Sequence, residues 1–210
     1  MKRQQDFILL ILNCERYRHK ALRQKETWLK DLPPTLVYYH VIGRPTQAEP
    51  YVFDEEQRVL YVQTPDTYLA LPRKVIMALR AVDETFEYKY IFKTDDDQHC
   101  KHVNFFSYLP QILQNKGAHY GGHALRINDH VSQYYLVHSE LPRNLKLKAT
   151  TYCSGRFYFL SAAAVQYLVT EQTYNISRES LEDYAIGYHL TGFIHKEPVM
   201  AIDTPKVFEG

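Results

Sequence analysis

The amino-acid sequence predicts an α/β fold, a doubly wound sheet with helices on both faces, and three observations carry that prediction. Phe7-Ile8-Leu9-Leu10-Ile11-Leu12 is apolar without alternation, the pattern of a strand buried on both sides. Strand-like and helix-like segments then alternate as far as residue 97. Asp95-Asp96-Asp97 stands directly after one of the strands, at the edge where open α/β sheets bind ligands.

The elements follow in order. Phe7 to Leu12 is the first strand. Arg16 to Leu29 is rich in helix formers, and Leu36 to Ile42 is a second, β-branched and aromatic strand stopped by Gly43-Arg44-Pro45. Val59 to Val62 is a short third strand. Pro72 sits where a helix can begin, because a first-turn residue needs no N–H partner, and Val75, Leu79 and Val82 continue at helical spacing. Tyr88 to Thr94 is strand-like and runs into the acidic triplet. Beyond it, Phe105 to Leu113 reads as helix, Gly117 to Asn144 as loop and irregular strand, Phe157 to Leu160 as strand, and Ala162 to Val169 as helix. Leu181 to Leu190 is the last helix, opening at Ser180 and closing before Gly192, and a strand around Val199 to Ile202 ends the series. No linker or repeat interrupts this order, so residues 1–210 are expected to form one domain.

Composition excludes several classes. With 210 residues, 45% apolar and 23% charged, the chain has ordinary globular content, and 8 Gly with 10 Pro leave no room for low-complexity sequence. Lys plus Arg (25) nearly cancel Asp plus Glu (24), so the basic footprint of a nucleic-acid binder is missing and no such partner is expected. Cys14, Cys100 and Cys153 are odd in number and widely spaced, which fits neither a disulfide framework nor a zinc site and points to a reducing compartment. The apolar run at Phe7–Leu12 is short against the ~20 residues of a membrane helix. No membrane anchor or export signal is expected, and the expected location is cytoplasmic. The 18 Tyr and 10 Phe suit sugar stacking and a large core equally.

Chemistry concentrates in three motifs. In Lys93-Thr94-Asp95-Asp96-Asp97, strand alternation sends Asp95 and Asp97 to one side, where two carboxylates suit a hard cation that also takes phosphate oxygens. The plain alternative is an acidic turn in solvent. In Ser180-Leu181-Glu182-Asp183, a carboxylate at a helix start can take a proton from an attacking hydroxyl. The same spacing is also that of a capping box, and both readings stand. In Tyr152-Cys153-Ser154-Gly155, a Ser-Gly pair permits close approach of backbone to ligand, though a simple turn explains it as well. Cys153 reads as packing. His119 and His123 have the offset of a helical metal pair, but Gly121-Gly122 between them argues for a loop, and His99 and His102 are at most outer neighbours of the triplet.

Taken in order, these segments resemble glycosyltransferase family 31, the group of β-1,3-galactosyltransferases, β-1,3-N-acetylglucosaminyltransferases and Fringe proteins. The likeness spans roughly residues 7 to 195. It is carried by the helix with Arg23 that ends in Thr27-Trp28, and by Asp66, Tyr68, Leu71 and Lys74 in their family spacing. The Lys-x-Asp-Asp-Asp signature at Lys93–Asp97, the Tyr-x-Ser-Gly segment at Tyr152–Tyr158, and Glu182-Asp183 with Gly187 complete it. The resemblance implies a GT-A glycosyltransferase fold, a Rossmann-like mixed sheet flanked by helices, with a UDP-sugar donor and Mn2+ or Mg2+. Position by position it assigns the donor to Arg23, Asp66, Lys74, Lys93, Asp95, Asp96, Ser154 and Gly155, the metal to Asp95 and Asp97, the acceptor to Glu182, and the catalytic base to Asp183.

The implied activity is that of an inverting, metal-dependent enzyme. It would move a hexose or N-acetylhexosamine onto a hydroxyl of a glycan or glycoprotein, forming a β-1,3 linkage. Cellular members supply a late histidine to the metal; His189 and His195 are the only histidines after Asp183 here, and neither has the family context. Together with the absent anchor, this suggests a compact soluble enzyme of bacterial or viral type. The rivals are a lectin-like sugar-binding module and a metal-dependent sugar-nucleotide phosphohydrolase.

Overall fold

The computed structural model describes residues 1–194 and 199–210. Its centre is an eight-stranded mixed sheet. The strands are β1 (Phe7–Leu12), β2 (Leu36–Gly43), β3 (Tyr51–Asp54), β4 (Val59–Val62), β5 (Tyr90–Asp95), β7 (Tyr120–Ile127), β8 (Thr150–Ser161) and β9 (Met200–Ala201). They lie side by side in the order β9-β7-β8-β5-β1-β2-β4-β3. β5, β1, β2 and β4 are parallel neighbours, and β8 runs antiparallel to both β5 and β7. Outside this sheet, β6 (His99–Cys100) pairs antiparallel with β10 (Phe208–Glu209). The predicted α/β class, a mixed sheet flanked by helices, is the observed one.

The unbroken apolar run of β1 has a direct explanation. Ile8, Leu10 and Leu12 enter one core, with Val75, Leu79 and Val82 of helix α2 (Leu71–Thr85), while Phe7, Leu9 and Ile11 enter a second. That second core holds Trp28, Phe92, Phe157 and Phe208 together with Phe106 of helix α3 (Phe105–Lys116). Helix α1 (Arg18–Glu26) leads into Trp28, whose ring stacks on Phe106 at 6.0 Å. Much of the tyrosine excess is core: Tyr39, Tyr90, Tyr120, Tyr152, Tyr158 and Tyr184 are all buried. Of the two readings left open for these residues, packing accounts for most.

Four local expectations are corrected. Ser154-Gly155 is no turn; it lies inside the long strand β8, at a register shift between Cys153 and Tyr158 that opens the ladder. The stretch expected as loop and irregular strand does contain a strand, β7, with a register shift in its pairing, but the sheet also gains an unexpected edge strand, the short antiparallel β3. After helix α4 (Ala162–Tyr167) the chain passes through a π-turn, Leu168–Gln172, before a last short turn of helix, Thr173–Ile176. Helix α5 (Glu182–Leu190) begins one residue later than expected, with Leu181 at its cap and no side chain capping it, so the Ser180–Asp183 box does not form.

Candidate functional site

The carboxyl ends of β1 and β5 are in register, Leu12 beside Asp95, and open into a cleft of ≈ 600 Å³. Its walls include Asp66 and Tyr68, the three acids of the triplet, Gly155 of β8, and Glu182 and Asp183 of α5. β5 ends at Asp95, so Asp96 and Asp97 belong to a tight turn and strand alternation stops one residue short of them. Asp95 and Asp97 still border the same cleft, together with Asp96.

Lys93 lies beneath the cleft floor, 1% exposed. Its ammonium donates to Glu182 Oε2 at 2.8 Å and to the Gly155 carbonyl at 3.2 Å, and it pairs with Asp95 Oδ1 at 2.8 Å. The other Glu182 oxygen accepts from the Tyr158 hydroxyl at 2.6 Å. One buried cation therefore serves two carboxylates, as such burial requires. Burial among these groups raises the Asp95 carboxyl to about 6 against the pull of Lys93, with the Glu182 charge adding to the rise. Glu182, expected at the acceptor, borders the cleft but has both oxygens engaged inward.

Asp183 sits in the first turn of α5. Its Oδ2 accepts the Gly155 N–H at 3.2 Å and its Oδ1 accepts the N–H of Tyr184 at 2.8 Å. Burial raises the pKa of its carboxyl above the ordinary carboxylate value, while Lys93 and the two N–H donors oppose the rise. Gly155 brings this about by having no side chain: a Cβ there would lie 2.5 Å from Asp95 Oδ2 and 3.0 Å from Lys93 Nζ.

Asp66 and Lys74 form a second buried pair at 2.5 Å. Asp66 also accepts the N–H groups of Gly43 at 2.9 Å and Glu15 at 2.7 Å, and Lys74 donates to the Asn13 carbonyl at 2.9 Å. These two residues tie the segment after β1 to the end of β2 and shape the cleft from below. Asp96 pairs with Lys20 of α1 at 3.0 Å, and Gln98 Nε2 donates to Asp97 Oδ1 at 2.9 Å. Arg23 is exposed and does not border the cleft, and neither does Ser154. Arg16 stands at the cleft instead.

His138, with its ring stacked on Tyr68 at 3.8 Å, and Glu140 also reach the cleft, from the long stretch between β7 and β8. No motif or periodicity marks either residue. His99, His102, His119, His123 and His189 do not border the cleft; His119 bonds the Ser161 hydroxyl at 2.7 Å and His189 pairs with Glu179 at 3.0 Å. His195 lies outside the described residues. Cys153 is fully buried and its thiol is raised to about 12 by desolvation, so packing is its role.

Among the described residues no group of three or more His, Cys, Asp or Glu is arranged to hold a metal alone. What the cleft does offer is Asp97 and the Asp95 oxygen that Lys93 leaves free. Such all-oxygen donors fit a hard divalent cation that draws its remaining ligands from phosphate and water.

A solved structure, described as a glycosyltransferase involved in the glycosylation of the major capsid of PBCV-1, matches with a TM-score of 0.48 at 12% identity, covering 95% of this chain and 82% of that one. Among curated proteins none matches the sequence. The profile of the galactosyltransferase family matches residues 17–195, which include every motif described above. With the match running from α1 past the end of α5, this chain belongs to the galactosyltransferase family and is a glycosyltransferase.

Proposed function

We propose that the protein is an inverting, metal-dependent glycosyltransferase that moves a hexose or N-acetylhexosamine from a UDP-sugar to a hydroxyl of a glycan or glycoprotein, forming a β-1,3 linkage. The observation that supports it best is Asp183, held by the Gly155 N–H on the wall of the cleft that also carries the acidic turn. Asp97 and Asp95 would hold a divalent cation, which when bound offsets charge on the diphosphate leaving group.

The rest of the chemistry belongs to the chain. Asp183 takes the proton of the acceptor hydroxyl as that oxygen bonds to the anomeric carbon, and the bond from that carbon to the diphosphate oxygen breaks, its electron pair leaving with UDP. One in-line displacement inverts the anomeric centre and needs no covalent intermediate. A carboxyl raised by burial is a better base near neutral pH than a solvated one. Glu182 and Lys93 hold Asp95 in place, and Asp66 with Lys74 fixes the segment at residues 13–15 against which a nucleotide would lie.

The test is UDP release from a panel of UDP-sugars with manganese, with and without oligosaccharide acceptors. Release that requires both one UDP-sugar and an acceptor is the expected result. Release independent of any acceptor would favour the phosphohydrolase and overturn the proposal, and sugar binding without UDP release would favour the lectin-like module.

A further inference from the structure

We propose that Gln24 is a positioning residue for the acidic turn: its side-chain amide grips both ends of the turn Asp95–Gln98 and thereby fixes where the Asp95 and Asp97 carboxylates stand in the cleft. The inference rests on the functional reading above in taking this turn as the part that meets cation and donor. Gln24 is on α1 and only 4% exposed. Its Nε2 donates to the Gln98 carbonyl at 2.9 Å and to the Asp95 carbonyl at 3.4 Å, which uses both hydrogens of the amide. The turn's own closing bond, Gln98 N–H to the Asp95 carbonyl, is long at 3.3 Å, so its shape depends on a grip from outside.

That grip is itself locked from behind. With the amide nitrogen committed to two carbonyls, Gln24 Oε1 needs a donor, and it finds His40 Nε2 of β2 at 3.0 Å. His40 must then carry its proton on Nε2, which leaves Nδ1 buried with no hydrogen-bond partner. Apolar residues at both positions together would fill the space without an orphaned side-chain polar atom between them. What the polar pair adds is a fixed orientation of the amide. Lys20, one helical turn before Gln24 and on the same face of α1, completes the hold by pairing with Asp96 Oδ1 at 3.0 Å. The same helix follows directly on the segment 13–17 that lines the cleft, so Gln24 couples the two walls of the site.

The experiment compares wild type with Gln24→Met, which keeps length and removes the amide, and with His40→Leu, which removes only the lock. Val41→Ala, a core change beside His40 that touches neither Gln24 nor the turn, is the control for lost stability. Two quantities are read in the full chain: UDP affinity with manganese by calorimetry, and hydrogen exchange of the peptide covering residues 93–101. Gln24→Met is expected to weaken UDP binding about tenfold or more, as loss of a group supporting metal ligands does, and to speed exchange in that peptide. His40→Leu should do the same to a smaller extent, and carries the test if Gln24→Met does not fold. Val41→Ala should lower the melting temperature and leave both readouts alone. Unchanged affinity and exchange in Gln24→Met, or equal losses in Val41→Ala, would overturn the inference. If wild type itself shows no manganese-dependent UDP binding, the functional reading fails, and exchange at 93–101 still decides whether Gln24 holds the turn.

Discussion

Asp183 and Lys93 separate chemistry from scaffold at the level of single residues. Asp183→Asn preserves size and keeps an acceptor for the Tyr184 N–H, gives up the one for the Gly155 N–H, and takes no proton. Loss of general-base help costs ~10²–10⁴ in rate and loss of one hydrogen bond about 0.5–1.5 kcal/mol in stability, so transfer is expected to collapse while UDP affinity stays near wild type and the melting temperature falls only slightly. Near-normal transfer would show that Asp183 serves α5 and not the reaction. Lys93→Met does the opposite. It leaves Asp95 and Glu182 without their shared cation, and breaking a buried pair in this way costs roughly 3–5 kcal/mol. Chemical denaturation of this variant reads that loss directly, and a stability within 1 kcal/mol of wild type, roughly the worth of a surface pair, would mean that the ammonium is not what holds the two acids together. The acidic triplet stands out in the sequence because it follows a strand directly, at the edge where such sheets bind ligands, whereas Asp183, at a helix start where capping serves equally, is singled out only by the family resemblance. The part played by Glu182, adjacent to Asp183, is legible in neither way: only the fold shows that its oxygens turn inward to Lys93 and Tyr158.

Strand β8 is the element on which the site depends most. It lies antiparallel between β5 and β7, and its register shift aims the Gly155 carbonyl at Lys93 and the Gly155 N–H at Asp183. Gly155→Ala leaves both backbone bonds possible but forces the Asp95 carboxylate to swing away from the new methyl group. Overpacking of this kind costs about 1–3 kcal/mol, so the variant is expected to melt lower and to bind UDP with manganese more weakly. A lower melting temperature with unchanged UDP affinity would show that the close approach matters for packing alone. Ser and Gly are strong turn formers, and local sequence carries no sign that a bulge has absorbed them into a strand. The same limit hides the His138–Tyr68 stack, which is set by packing across a long sequence separation. Of the parallel strands, β1 and β4 are readable as unbroken apolar runs, and β2 and β5 by their β-branched and aromatic content.

A buried histidine and a half-buried carboxyl tilt the stability of the whole molecule with pH in opposite directions. Burial lowers His40 to about 3, so below its ordinary value of 6.5 the unfolded chain takes up a proton that the folded one refuses, and stability falls as pH falls. Asp95, raised to about 6 from 3.8, holds its proton longer when folded and contributes stability as pH falls through that window. Comparing wild type with His40→Leu isolates the first effect. The stability difference between them should fall by about 1.4 kcal/mol for each pH unit below 6.5, measured by urea denaturation at pH 7.5, 5.5 and 4.5. A flat difference would mean that His40 takes a proton inside the fold. The last strand adds a constraint of another kind. β10 pairs with β6 immediately after the acidic turn, and Phe208, 1% exposed, fills the core among Trp28, Phe105, Phe106 and Phe157. During synthesis, residues 95–100 leave the ribosome roughly a hundred residues before the segment that clamps them, at ~5–20 residues per second. The nascent chain thus spends several seconds with its sheet half built, and the acidic turn gains its clamp only after residues 208–209 have followed.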